Sequence, residues 1–153
     1  MRERFENRRL ELAAERTHGF RAYTPMFHLH AELVLVTGGH LRMTVEGEVR
    51  TLGAGDVGMV FPYCLHSYEA SDDADAIVLL FSPFAVGAYA SKMLSHKPSA
   101  AYLSNVPELY PAFERVLRFY DVTSDERMRV ANTYLSALVG EILLTVQLVR
   151  RDT

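Results

Sequence analysis

The sequence contains little of what would place it in a specialised class of protein. It has one cysteine, Cys64, so no disulfide can form within the chain. It has no uninterrupted apolar run long enough to span a bilayer, and its N-terminus shows no secretory signal pattern. These absences predict a cytoplasmic protein without a membrane segment.

An excess of positive charge is also missing. The formal net charge at pH 7 is -3 and the isoelectric point is about 6.1, so the surface as a whole does not attract a polyanion. DNA binding by this chain alone is therefore disfavoured. The composition is ordinary, with 49% hydrophobic and 23% charged residues, and 153 residues are enough for one domain with a sizeable core.

The most informative stretch is residues 27–39, FHLHAELVLVTGG. If it forms a strand, the side chains of His28, His30 and Glu32 point to the same face, because strand side chains alternate. Val34 and Val36 continue that face, which predicts that it is turned inward. We therefore expect the two imidazoles and the carboxylate to open into a pocket at one end of an apolar interior.

Most of the first half of the chain has the residue pattern of short β-strands. Apolar residues alternate through 41–45 and 57–61, Gly47 predicts a tight hairpin, and residues 76–81 are apolar on both faces, as in a central strand. Residues 66–69 predict another strand and 72–75 an Asp-rich loop. Upstream, residues 2–16 favour a short helix and 20–24 a first strand. The pattern predicts an antiparallel β-barrel or sandwich over residues 1–83.

The second half, residues 84–153, is predicted to be a helical subdomain. We expect helices over 84–94, over 107–120 and from a capping box at Thr123 and Glu126 to about residue 150. The third helix carries more apolar surface than a single contact needs. This favours dimerisation through a seam that includes Leu135, Leu138 and Ile142, the alternative being a helix pair within one protomer.

Several motifs occur in a characteristic order. They are His28-x-His30, Glu32 followed seven positions later by Gly39, Leu52-Gly53-Ala54-Gly55-Asp56, Phe61-Pro62 and His66-Ser67-Tyr68. Together they resemble the cupin fold, and most closely the N-terminal effector-binding domain of AraC-type transcription regulators. The resemblance implies a small β-barrel that receives a low-molecular-weight effector, helices that hold two protomers together, and a DNA-binding domain with helix-turn-helix motifs, expected beyond residue 153.

The resemblance has one departure that concerns metal binding. Metal-binding cupins place three or four residues between the second histidine of the pair and the glutamate, whereas only Ala31 separates His30 from Glu32. On an unbroken strand the Cα atoms of residues 28 and 32 would lie ~13 Å apart. The sequence leaves open whether a metal binds; if one does, His28, His30 and His66 are the candidate ligands for zinc, nickel, copper or iron, with Glu32 joining only if the strand bends.

Two functional hypotheses follow. In the leading one, the chain is a sensor and not an enzyme. Its effector would meet the polar anchors His28, His30, Glu32, His66 and Tyr68 and an apolar wall that includes Met43, Met59 and Phe61. In the alternative, it is a metal-dependent cupin enzyme of the dioxygenase or isomerase type, although no separate general acid or base can be identified. Each polar residue also has a structural alternative, such as a backbone hydrogen bond for His66 or barrel packing for Tyr68.

Overall fold

The computed structural model describes residues 11–22 and 28–151, which form two larger antiparallel sheets, followed by helices and a two-stranded sheet. The larger sheet has five strands in the order β1 (Leu12–Phe20), β7 (Ser71–Phe81), β2 (Ala31–Gly38), β5 (Val57–Val60) and β9 (Tyr102–Leu103). The second sheet has three, in the order β4 (Glu48–Leu52), β3 (Leu41–Val45) and β6 (His66–Tyr68). The predicted class, mainly antiparallel β with C-terminal helices, is confirmed.

The two sheets pack face to face around the core. Gly58 on β5 shows how closely they approach, since a Cβ atom there would lie 2.4 Å from the Sδ atom of Met43 on β3. A larger residue there would require the Met43 side chain to move. Strand β2 is buried on both faces from Ala31 to Val36, which agrees with its continuous apolar sequence.

The predicted hairpin between β3 and β4 is present. Met43 pairs with Arg50 and Val45 with Glu48, so the loop contains two residues, Glu46 and Gly47. Both have positive φ, 49° and 81°. Two-residue loops of this kind match the right-handed twist of the flanking strands, and glycine adopts positive φ without steric cost.

The N-terminal helix prediction is wrong for residues 12–16, which belong to β1. Leu12 pairs with Phe81 and Arg16 with Ile77, and the pairing continues to Phe20 and Ser71. Pairing with this remote strand outweighs the local helix preference, because it buries Leu12 and its neighbours in the core. Residues 2–10 of the predicted helix and residues 23–24 of the predicted strand 20–24 lie outside the described residues. Phe20 ends β1, and residues 21–22 are not in a strand, so that part of the strand prediction is wrong.

The Asp-rich stretch 72–75 is not a loop either. It forms the first half of β7, where Asp75 pairs with His18 of β1 and Ser71 with Phe20. The predicted central strand is confirmed, since β7 lies between β1 and β2.

The helical half contains three α-helices, α1 (Ala90–Ser95), α2 (Tyr110–Phe119) and α3 (Asp125–Thr145). Short 3₁₀ helices, Pro83–Tyr89 and Pro107–Leu109, precede the first two. Ser124, not Thr123, caps α3, because its side chain accepts a hydrogen bond from the Arg127 backbone N–H at 3.2 Å. Within the described ranges, none of the helices is long and apolar enough to cross a membrane.

Helix α3 ends about one turn earlier than predicted. Residues Leu148–Arg150 form strand β10, which pairs with β8 (His96–Pro98) just after α1. The backbone N–H of Arg151 continues this contact by donating to the Ser95 carbonyl at 3.0 Å. The segment that follows α3 is therefore hydrogen-bonded through its backbone to the segment that follows α1.

The seam predicted for dimerisation faces inward. Leu135 and Leu138 are 0% exposed and Ile142 is 1% exposed within one protomer. They pack in the same apolar core as the barrel residues, which is the intramolecular alternative left open by the sequence. These three side chains cannot also meet a partner, so any dimer contact made by α3 must use another face.

Candidate functional site

A buried carboxylate, Glu32, is the centre of the candidate site. It lies on β2 between Val60 of β5 and Leu80 of β7 and is only 2% exposed. Transfer of a charged carboxylate into the interior is unfavourable unless polar partners compensate for the lost water. The side chains around Glu32 provide such partners from both sheets.

His66 approaches Glu32 from the opposite sheet. Its Nε2 atom lies 2.7 Å from Oε2 of Glu32, and its Nδ1 atom lies 3.0 Å from the backbone carbonyl of Cys64. A carbonyl oxygen can only accept, so Nδ1 carries the hydrogen and donates it. This hydrogen bond fixes the ring and directs Nε2 at the carboxylate.

His28 reaches the same carboxylate oxygen because the chain bends before β2. The strand begins at Ala31, so the unbroken strand assumed from the sequence does not form at His28. The His28 Nδ1 atom donates to the His30 carbonyl at 3.0 Å, and Nε2 lies 3.4 Å from Oε2 of Glu32. Three residues separate His28 from Glu32, which is a spacing expected between histidine and glutamate in metal-binding cupins. Only one residue separates His30 from Glu32.

Tyr68 completes the group from the other side of the carboxylate. Its hydroxyl donates to Oε1 of Glu32 at 3.0 Å, on the oxygen that the imidazoles do not approach. The two oxygens of Glu32 are thus differentiated. Oε1 is held by a neutral donor, and Oε2 faces the Nε2 atoms of His28 and His66.

This arrangement suits either a proton or a metal ion between Oε2 and the two imidazoles. The ligand atoms of His28, Glu32 and His66 all lie within 4.8 Å of one another. Both imidazoles donate Nδ1–H to backbone carbonyls. Histidines that bind a metal through Nε2 usually donate their other ring N–H in this way. The group differs from the expected set of three histidines, since Glu32 takes the place of His30.

A cavity of about 520 Å³ adjoins Glu32 and Tyr68 on the inner side of β1 and β7. Its other walls include Glu15, Thr17, Phe20, Asp72, Val78 and Leu80. His18 also borders it, and the hydrogen bond to Asp75 raises the pKa of that imidazole. The volume lies in the range of pockets that bind small organic molecules.

The apolar wall expected from the sequence is elsewhere. Met43 and Phe61 are each 1% exposed and lie in the core between the sheets. Met59 and Cys64 border a second, smaller cavity of about 310 Å³ next to β8 and β10. Burial raises the pKa of the Cys64 thiol, which disfavours the reactive thiolate form.

Sequence reasoning missed the residues of β1 and β7 that do line the larger cavity. Glu15 was assigned to a helix over residues 2–16, Thr17 was given no element, and Phe20 was placed at the start of a strand over 20–24 without a role in the cavity. Val78 and Leu80 were recognised as buried, but a strand that is apolar on both faces gives no signal for the side that meets a cavity. Residues 14–17, Ala-Glu-Arg-Thr, have no alternation of apolar and polar side chains that would indicate which side meets a cavity.

The fold and the site together define a cupin-type ligand-binding domain. The model of the AraC-like ligand-binding domain family matches residues 10–142, so the chain belongs to this family. None of the curated proteins matches the sequence. The resemblance on which the sequence analysis relied is confirmed.

Solved structures show the same fold. Apo ToxT K231A from Vibrio cholerae aligns with a TM-score of 0.59 and 10% identity over 89% of this chain, which spans 57% of the ToxT chain. KdgF from Halomonas sp. is 28% identical over 46% of this chain and 69% of its own, with a TM-score of 0.40. An RmlC-like cupin from Shewanella frigidimarina has the same identity and TM-score over 48% of this chain and 67% of its own.

Proposed function

We propose that the chain is the effector-sensing and dimerisation domain of an AraC-type transcriptional regulator. The effector would be a small molecule bound in the cavity beside Glu32, with Tyr68 and the histidines at its polar end. The main observation in support is a cavity of about 520 Å³ that is bordered by the buried, hydrogen-bonded carboxylate of Glu32. The chain also belongs to the AraC-like ligand-binding family. Residues 1–83 would form the sensing barrel and 84–153 the helical subdomain, in a cytoplasmic regulator that contacts DNA through a further C-terminal domain.

Strand β1 is the element that would relay effector binding to the helices. Glu15 and Thr17 border the cavity, whereas Arg16 between them reaches helix α2 on the other side of the strand. Its guanidinium donates to the Tyr110 hydroxyl at 3.4 Å and forms a salt bridge with Glu114. An effector that displaces β1 would therefore shift α2, and with it α3, which packs on α2.

The outward face of α3 is the part that would hold a second copy. Val130, Ala137 and Leu144 recur every seven residues on this face, and Leu144 is 90% exposed. In an antiparallel pair of α3 helices centred on Ala137, Val130 of each copy would lie opposite Leu144 of the other. A seven-residue apolar repeat is the pattern of helices that pack side by side.

A second candidate function is metal-dependent chemistry. The convergence of two Nε2 atoms on Oε2 of Glu32 favours it, because the donor set fits zinc, nickel, copper or iron. A metal held by His28, Glu32 and His66 would supply Lewis acidity at the polar end of the cavity. We rank this function second, because no additional side chain is identified as a general acid or base.

A ligand screen with a cavity-blocking variant tests the proposed function. Val78→Trp would fill the cavity, and Val49→Trp places the same residue on the exposed β4 strand as a matched control. Compounds that bind in the cavity should raise the melting temperature of the native chain and of Val49→Trp, but not of Val78→Trp. Compounds that stabilise a folded Val78→Trp variant equally well would place their binding outside this cavity.

A further inference from the structure

The register of the larger sheet places a second carboxylate on the same face as Glu32. Across β7, Leu80 pairs with both Ala13 and Glu32, and Val78 pairs with both Glu15 and Val34. Residues directly opposite on antiparallel strands share a face of the sheet. Glu15 therefore points to the same side as Glu32, one row further along, and borders the cavity.

The hydroxyl groups that line the cavity have their hydrogens directed elsewhere. Thr17 donates to the Gly19 carbonyl at 3.2 Å, Ser71 to the His40 carbonyl at 2.8 Å and Tyr68 to Glu32 at 3.0 Å. Each hydroxyl has one hydrogen, so what it can offer a ligand is an acceptor lone pair; Ser71 already uses one of its two for the Ala74 backbone N–H at 3.1 Å. The walls formed by these groups therefore favour a ligand that donates hydrogen bonds.

The charges around the cavity favour the same kind of ligand. Glu32 faces His28 and His66, and His18 is hydrogen-bonded to Asp75. The other charged side chains among the described lining residues are Glu15, Asp72 and Arg21. Their summed charge is negative. Like charge disfavours an anionic ligand, and opposite charge favours a cationic one.

An apolar surface adjoins these acceptors. Val78 is the cross-strand neighbour of Glu15, Leu80 is the neighbour of Glu32, and both border the cavity. The rings of Phe20 and Tyr68 lie 5.4 Å apart with an angle of 39° between their planes. Aromatic faces attract cations through their quadrupoles, and the aliphatic side chains can cover a short hydrocarbon body.

We propose that the effector of this cavity is a small amine, bound as the ammonium ion with Glu15 as its counter-ion. Its hydrocarbon part contacts Val78, Leu80 and Phe20. This inference rests on the proposed function, because it names the ligand class of the cavity there assigned to the effector. It makes Glu15 the residue that determines charge specificity.

Calorimetry with charge-matched probes tests the ligand class. One set shares a phenyl body (2-phenylethylamine, 2-phenylethanol and 3-phenylpropionate), and a second set shares an aliphatic body (hexylamine, hexanol and hexanoate). At pH 7 the amine of at least one set should bind the full chain about tenfold more tightly than its alcohol, as expected for one charge-assisted hydrogen bond, and the carboxylates should bind least. Failure of both amines to bind, or a carboxylate or alcohol that binds as tightly, overturns the amine assignment.

Variants of Glu15 separate its charge from its shape. Glu15→Gln should weaken amine binding about tenfold and leave alcohol binding unchanged, whereas Glu15→Asp should retain most of the amine affinity. Glu108→Gln, at an exposed glutamate outside the cavity, is the matched control and should change nothing. Unchanged amine affinity in Glu15→Gln overturns the assignment of Glu15. If alcohols or carboxylates bind instead and Val78→Trp abolishes this, the effector cavity stands and the amine class fails.

Discussion

The Nε2 atom of His66 lies 2.7 Å from Oε2 of Glu32, and both side chains are almost fully buried. Because Glu32 is on β2 and His66 on β6, this contact joins the two sheets of the barrel. It is shorter than the contacts of the same carboxylate with Tyr68, at 3.0 Å, and with His28, at 3.4 Å.

Removal of the carboxylate should destabilise the fold. Glu32→Ala leaves the Tyr68 hydroxyl without its buried acceptor and the buried His66 imidazole without its polar partner, so we expect the free energy of unfolding to fall by about 3 kcal/mol. Urea denaturation measures it. Glu69→Ala is the control, because the exposed Arg42–Glu69 pair at 3.3 Å should contribute less than about 1 kcal/mol. Equal losses in the two variants would contradict the structural role of the buried cluster.

Metal binding, if it occurs, should depend on the three residues whose ligand atoms converge. Titration of zinc or nickel into metal-free protein should saturate at one ion per chain, and His66→Ala should abolish this binding. His96→Ala, which removes an imidazole far from the cluster, should leave it unchanged. Tyr68→Phe should weaken metal binding roughly tenfold, because the hydroxyl orients Glu32. A chelator that neither removes metal nor alters stability would reject the metal hypothesis.

The contact between Arg16 and Glu114 should contribute a small, pH-dependent stabilisation. The hydrogen bond from Arg16 lowers the pKa of Glu114 below its ordinary value of 4.5. A depressed folded-state pKa stabilises the protein above pH 4.5, and this contribution is lost as pH falls through the folded value. Because both side chains are partly exposed, we expect about 0.5 kcal/mol from a double-mutant cycle of Arg16→Ala and Glu114→Gln at pH 7. A coupling that is absent at pH 7, or that does not decline at any point as pH is lowered through the acid range, would contradict this assignment.

The relay hypothesis makes a separate prediction for the same pair. In Arg16→Ala, a ligand bound in the cavity should no longer change hydrogen exchange in α2, although its affinity should be nearly unchanged. The reason is that Arg16 contacts Tyr110 and Glu114 of α2, not the cavity. The same exchange response in this variant as in the native chain would assign the relay to another element.

Two leucines of α3 should respond differently to the same substitution. Leu144→Glu adds a charge to the exposed face and should convert a dimer to a monomer with little change in stability. Leu135→Glu places the charge in the core and should unfold the chain, because a buried unpaired carboxylate is strongly unfavourable. Light scattering and thermal melts distinguish the outcomes. An unchanged mass for Leu144→Glu would remove this face from the interface.

The parts of the fold that could be predicted from the sequence are those determined by local patterns. The β3–β4 hairpin follows from period-two alternation and Gly47, and the central position of β7 follows from its apolar residues. Strands β1 and β10 could not be predicted, because each is stabilised by pairing with a strand remote in sequence, β7 and β8. Local helix preference was the stronger signal in both segments.

The candidate site was predictable in its residue types but not in its geometry. His28, Glu32, His66 and Tyr68 were all identified from their motifs, and the structure brings them together. The contact between His28 and Glu32 was missed, because the bend before Ala31 has no clear signal in the sequence. The cavity walls were missed for a different reason, since their residues depend on the pairing of β1 with β7.

Hydrogen–deuterium exchange with a stabilising compound from the ligand screen tests the central claim, effector binding beside Glu32, most directly. Binding in the larger cavity should slow exchange in β1 (12–20) and β7 (71–81), whose residues form its walls, and alter exchange in α2. Protection confined to β8 and β10, beside the smaller cavity, with β1 and β7 unchanged, would contradict the account.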